Sequence, residues 1–211
     1  MKSPIRLLTL ISILFVIVFS QFANPHSVQA ACAPNHIIYV RPTGTNAGGC
    51  SWVSAFTTLQ SALAIATSGD QIWVASGTYY PDEGTGQTNN DQASTFALID
   101  GVSIYGGFAG MPGTEALFVR NSNPATNNTV LSGDIDQDGL DADNASTVVT
   151  ITGILTDTLI LDGFTITNGY EDSGAGLGGG IYIEDASPTL SNLIITNNLA
   201  NSNGGGVFVV S

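Results

Sequence analysis

Leu161-Asp-Gly-Phe-Thr-Ile-Thr-Asn-Gly169 returns 29 residues later as Leu190-Ser-Asn-Leu-Ile-Ile-Thr-Asn-Asn198. Gly178-Gly-Gly-Ile-Tyr-Ile183 returns 26 residues later as Gly204-Gly-Gly-Val-Phe-Val209. The linking loop shortens from ten residues (Asn168 to Gly178) to seven (Asn197 to Gly204), which accounts for the difference. A strand pair repeating at this period is the signature of a solenoid. Alternation along Phe164-Thr-Ile-Thr puts Phe164 and Ile166 on one face and the threonines on the other. One such strand cannot bury its face alone, whereas stacked copies can. Stacking like on like places Asn168 and Asn197 at equivalent corners, where asparagine tolerates left-handed backbone. An antiparallel sandwich also has short strands and glycine turns, but it does not explain the repeated strand–Asn–loop–Gly-Gly-Gly–strand order. The sequence therefore predicts an all-β parallel β-solenoid.

Upstream, the pattern is weaker. His36–Val40, Gln71–Ala75, Phe96–Ile99, Val102–Tyr105, Thr129–Leu131, Val148–Ile151 and Leu159–Leu161 read as strands separated by polar, Gly-rich loops. Ile99-Asp-Gly-Val-Ser-Ile-Tyr-Gly-Gly107 echoes 161–169 at a shift of 62, which reads as a degenerate copy about two coils earlier. Phe56, Leu59, Leu63 and Ala66 recur at helical spacing. A helix is expected over 56–67, started by Ser54 or Thr57, stopped by Gly69 and covering the open end of the first coil.

The N-terminus stands apart. Lys2 and Arg6 precede the apolar run Leu7–Phe19, and Val28-Gln-Ala30 offers light residues for a peptidase. This predicts a signal peptide over 1–30, because 13 apolar residues fall short of the roughly 20 that span a bilayer. Ala30-Ala31-Cys32 leaves a lipoprotein signal as the alternative. The mature region of 31–211 is one domain, and an uncapped apolar end at Val207–Ser211 implies further C-terminal coils or an anchor. It carries two arginines, Arg41 and Arg120, against 17 acids, a net −15. Nucleic acid and anionic membranes are poor partners for that charge, and no transmembrane span is expected in this part. Calcium or a neutral extracellular polymer, such as a carbohydrate or a host or cell-surface polymer, suits it better. In an exported chain Cys32 and Cys50 are expected to pair, worth about 3 kcal/mol in the chain-entropy picture.

The order Ile38-Tyr-Val40, Ser51-Trp52, a helix, Gly69-Asp-Gln-Ile-Trp-Val-Ala75, Gly77-Thr-Tyr79, Tyr105-Gly-Gly-Phe108, Leu131-Ser-Gly-Asp134, Leu161-Asp-Gly-Phe-Thr-Ile166 and the Gly triplets resembles a known family. It is similar to the N-terminal part of bacterial secreted right-handed parallel β-helix proteins of the pectin-lyase-like superfamily, with polymorphic outer-membrane-protein-type repeats. The resemblance implies three parallel sheets per coil and a secreted or cell-surface location. It leaves function open.

The sharpest chemical motif is Asp134-Ile-Asp-Gln-Asp-Gly139, continuing to Asp141 and Asp143. Acids at alternate positions followed by glycine can wrap oxygen ligands around Ca²⁺. With Asp134 as position 1, position 12 is Ala145, where an EF-hand has a bidentate Glu. The expected metal set is therefore an irregular loop of Asp134, Asp136, Asp138, Asp141 and Asp143, and a solvated acidic loop would have the same composition. Lyases of the resembled superfamily use Arg or Lys as base, and its hydrolases need converging carboxylates. Available groups are Arg41, Arg120, Asp162, Glu171, Asp172, Glu184 and Asp185, with no histidine after His36 and no lysine after Lys2. Tyr79-Tyr80 could stack on a sugar, whereas Trp73 reads as core. The expected function is a non-catalytic adhesive or scaffold module that binds calcium. A polysaccharide lyase or glycoside hydrolase is the alternative.

Overall fold

Phe164 lies beside Leu193 in a parallel ladder, with Ile166 beside Ile195 and Thr167 beside Thr196. The repeat is thus a stack, with like residues one coil apart. The computed structural model describes residues 36–113, 115–153, 157–172 and 178–211. These fall in one unit, Ala31–Ser211. The signal peptide expected at 1–30 lies outside the described residues.

The strands follow coil by coil. The first coil has β1 (Ile37–Val40), and Val40 also bridges Phe56. The second has β2 (Gln71–Ala75), β3 (Gly77–Tyr79) and β4 (Phe96–Ala97). The third has β5 (Ser103–Phe108), β6 (Thr129–Ser132) and β7 (Val149–Thr152). The fourth has β8 (Ile160–Thr167), β9 (Tyr170–Glu171) and β10 (Ile181–Glu184). The fifth has β11 (Thr189–Thr196), β12 (Leu199–Ala200) and β13 (Val207–Val210).

Every strand pairing among the described residues is parallel. One ladder runs β1, β2, β5, β8, β11, a second β3, β6, β8, a third β4, β7, β10, β13, and a short one joins β9 to β12. The first half of β8 continues β5, and its second half continues β6. Gly163 sits between the halves at φ +86°, and its counterpart Asn192 at φ +46°. Asn168 and Asn197 both turn at left-handed φ (61° and 52°), and the Asn168 N–H donates to the Asn197 carbonyl at 3.0 Å.

The degenerate copy is nearer than its sequence echo suggests. Ser103, Ile104 and Tyr105 pair directly with Ile160, Leu161 and Asp162, so β5 is one coil from β8, at a shift of 57 rather than 62. Long excursions at 109–128 and 133–148 stretch this coil and hide its period.

Inward residues form one core. Ile38, Ile72, Ile104 and Leu161 stack on one face, with Leu131 and Ile166 on the next and Phe96, Val149 and Ile181 on the third. Burying each large apolar side chain contributes roughly 1.5–3 kcal/mol. The helix is shorter than its stripe: α1 is Leu59–Leu63, capped by Thr58 without a side-chain hydrogen bond. Phe56 instead bridges Val40, and the Thr57 N–H is taken by the Asn46 side chain at 2.8 Å. Leu59, Ala62 and Leu63 still join the core beside β1. A second cluster lies outside that sheet, where Trp73 stacks on Phe108 (4.5 Å, 11°) and Tyr39 meets Trp52 edge-on (4.8 Å, 66°). Trp73 is buried there rather than in the main core, because it alternates with inward Ile72 and Val74. Among the described residues no helix is long and apolar enough to cross a membrane.

Candidate metal centre

The acidic loop joins β6 to β7, and its two ends are fixed to the stack. Gly133 donates to the Thr167 carbonyl (2.9 Å) and accepts at its own carbonyl from Ile135 (2.9 Å) and Ala145 (2.8 Å). Ile135 and Ala145 are buried, so both ends of the loop are anchored by apolar side chains. This explains Ala145 at the twelfth position: it closes the loop base and leaves no space for a ligand.

Asp134 is turned on its own backbone. Its Oδ1 accepts from the N–H groups of Asp138 (2.9 Å) and Gly139 (3.0 Å). Gln137 (φ +65°) and Gly139 (φ +126°) adopt the left-handed backbone this tight turn requires. The remaining four expected ligands, Asp136, Asp138, Asp141 and Asp143, converge, each offering an oxygen within 4.8 Å of the others. Asp134 shapes the loop that gathers them.

The electrostatics follow from crowding. Asp143 is pushed up to about 6, first by its hydrogen bond to Asp141, then by burial and the charges of Asp136 and Asp141. Asp138 is also raised, by its hydrogen bond to Asp141 and the charges of Asp136, Asp141 and Asp134. Asp141 is lowered, because the Asp143 side chain hydrogen-bonds to it.

These residues fit a hard divalent cation. Oxygens on opposite sides of Ca²⁺ at about 2.4 Å would be about 4.8 Å apart, so this spacing is compatible with one shared ion. Asp136 Oδ1 is buried with no hydrogen-bond partner, an acceptor the protein leaves unsatisfied.

The loop has a brace that the sequence did not announce. Gln92, fifty residues earlier, donates from Nε2 to the Ala142 carbonyl at 2.5 Å, and its own carbonyl accepts from Ser146. Asn144 Nδ2 donates to the Asn168 carbonyl at 2.8 Å, tying the loop to the corner of the next coil.

The other candidates are dispersed. Arg41 donates to the Gly110 carbonyl (3.0 Å). Arg120 donates to the Gly106 carbonyl (2.7 Å), pairs with Asp162 and lies 5.2 Å over the Tyr105 ring. Asp162 also accepts from Ser191 and Asn192. Glu171 is buried and Glu184 exposed; among the described residues neither belongs to a converging group of acids. Tyr79 is no stacking platform: it is buried, and its hydroxyl donates to the Ala75 carbonyl at 2.9 Å. Cys50 is disulfide-bonded, and its expected partner Cys32 lies outside the described residues.

Residues 42–210 match a family model described as "Protein of unknown function (DUF1565)". The match runs from the loop after β1 to the last residue of β13. No curated protein and no solved structure matches the chain.

Proposed function

The chain belongs to this family, and from that premise we propose that it is a secreted or cell-surface module with an adhesive or scaffold role, built as a right-handed parallel β-helix of the pectin-lyase-like type. Calcium holds its acidic loop, and its partner is an extracellular carbohydrate or another cell-surface polymer. The family is associated with β-helix proteins, which supports the fold part of the reading.

The observation that carries the reading is the convergence of Asp136, Asp138, Asp141 and Asp143 on a loop welded to the coil stack. Bound Ca²⁺ would neutralise and cross-link these carboxylates. The protein's own part is to present them: Asp134 sets the turn, Gln92 and Asn144 brace it, and Asp136 Oδ1 waits without a partner. A lyase would need a free cationic base, and both Arg41 and Arg120 are engaged by backbone carbonyls.

Calorimetric titration with CaCl₂ tests the metal. Heat is expected from the parent and is lost in Asp136→Ala; no heat from either overturns it. Retention on insoluble polysaccharides, without release of reducing ends or unsaturated products, is expected of the module. Turnover of such a substrate would sink the non-catalytic reading.

A further inference from the structure

A cleft of about 280 Å³ opens beside the base of the acidic loop, lined in part by Gln92, Ala93, Thr95, Thr147, Thr150 and Glu171. Its volume falls just below the roughly 300–1,000 Å³ typical of drug-sized ligands, room for about one ring. Glu171, on β9, is 2% exposed, and Thr147 is 5% exposed. Thr147 Oγ1 is buried and has no hydrogen-bond partner in the protein. Buried polar groups are nearly always satisfied, so such a hydroxyl marks a place for a molecule the protein does not supply. Thr95, just before β4, and Thr150 on β7 share a hydroxyl–hydroxyl contact at 3.3 Å.

The charge of the cleft selects among ligands. Among the described residues its lining has a carboxylate and no cation, and the chain beyond Ala30 carries −15. That field repels uronates and other anions and concentrates cations. The hydroxyls can each donate and accept, which matches a polyhydroxylated ring. The Thr and Ala side chains also offer methyl groups, which suit the apolar face of such a ring. We propose that this cleft binds an amino sugar, its ammonium on Glu171 and its ring hydroxyls on Thr147 and neighbouring threonines. The site rests on the carbohydrate-facing part of the function proposed above. Gln92 joins the cleft to the acidic loop, because its side chain holds Ala142.

Titration of the full chain in EDTA at pH 7 tests the site apart from calcium, with glucosamine, N-acetylglucosamine and glucuronate as probes. A charge-assisted hydrogen bond predicts glucosamine binding at least about tenfold tighter than N-acetylglucosamine, with glucuronate weaker still. Ala93→Trp, at an exposed wall position, fills the cleft and abolishes binding while leaving the melting temperature unchanged. Glu171→Gln removes the preference for the amine. Absence of glucosamine binding, equal affinity for the two sugars, or an Ala93→Trp protein that still binds overturns the site. Retention on polysaccharide read in parallel separates the two proposals. Adhesion without glucosamine binding removes the cleft and leaves the module, and the reverse result removes the module and leaves the cleft.

Discussion

Arg120 and Asp162 form a nearly buried ion pair across 42 residues, linking the excursion after β5 to the middle of β8. Asp162 carries the link onward, because Ser191, its register partner in the next coil, and Asn192 donate to its other oxygen. Removing one member of such a pair leaves an uncompensated charge inside the protein. Arg120→Met is therefore expected to destabilise the fold by about 3–5 kcal/mol, read from the urea midpoint. Arg120→Met with Asp162→Leu should recover much of that loss. A double variant no more stable than the single one would show that the arginine acts by some other contact.

Where Gly169 passes the next turn, there is no space for a side chain. A Cβ at this position would overlap the carbonyl oxygen of Gly179. Gly169→Ala should cost about 1–3 kcal/mol through forced backbone shifts. Gly86 has left-handed φ but open surroundings, so Gly86→Ala isolates the backbone term, about 1 kcal/mol. Equal melting temperatures for the two variants would contradict close packing at the 169–179 crossing.

Calcium affinity should depend on pH through Asp143. Its carboxyl titrates at about 6, and a ligand must be ionised to bind the ion. Affinity is expected to hold steady above pH 7 and to fall up to tenfold per unit below pH 6. Asp143→Asn should bind weakly and flatten this dependence. Asp134→Ala should weaken binding too, but by loosening the turn. That difference is visible as faster amide exchange at Asp138 and Gly139 without calcium.

Asp70 makes a second pH-dependent contribution, and its sign differs from that of a raised group. Burial acts to raise its pKa, and this is outweighed by hydrogen bonds from the Thr67 N–H and hydroxyl and the His36 N–H, together with the His36 charge. The net pKa is lowered. Its stabilisation is complete above the unfolded value of about 3.9 and is lost as pH falls through the lower folded value. Asp70→Asn should reduce stability at pH 7 and make the melting temperature less sensitive to acid between pH 4 and 2. An unchanged acid profile would rule Asp70 out as a contributor.

The last two coils were legible because their units are short and stack like on like. Phe164 and Ile166 alternate inward, and Asn168 and Asn197 turn identically, so the local pattern and the tertiary ladder coincide. Earlier coils were harder. The Ser103 ladder was displaced by five residues because loop insertions break the period without breaking the pairing. The helical stripe overran because Phe56 shares its spacing but is drawn into a bridge with Val40. Spacing alone located the acidic loop, yet it could not tell that Asp134 would bond its own turn while the other four acids converged. Gln92 and Arg120 act on partners 50 and 42 residues away, and no local signal marks either.

The ladder from β5 to β8 spans 57 residues, whereas that from β8 to β11 spans 29, yet both make the same parallel contact. Doubling a connecting segment costs only about 0.6 kcal/mol of closure entropy. The rungs are therefore indifferent to what hangs between them. Extra residues inserted at the exposed tip Met111–Gly113 would leave the Arg120 anchor and the rungs in place, so this arm can lengthen at little cost to the scaffold.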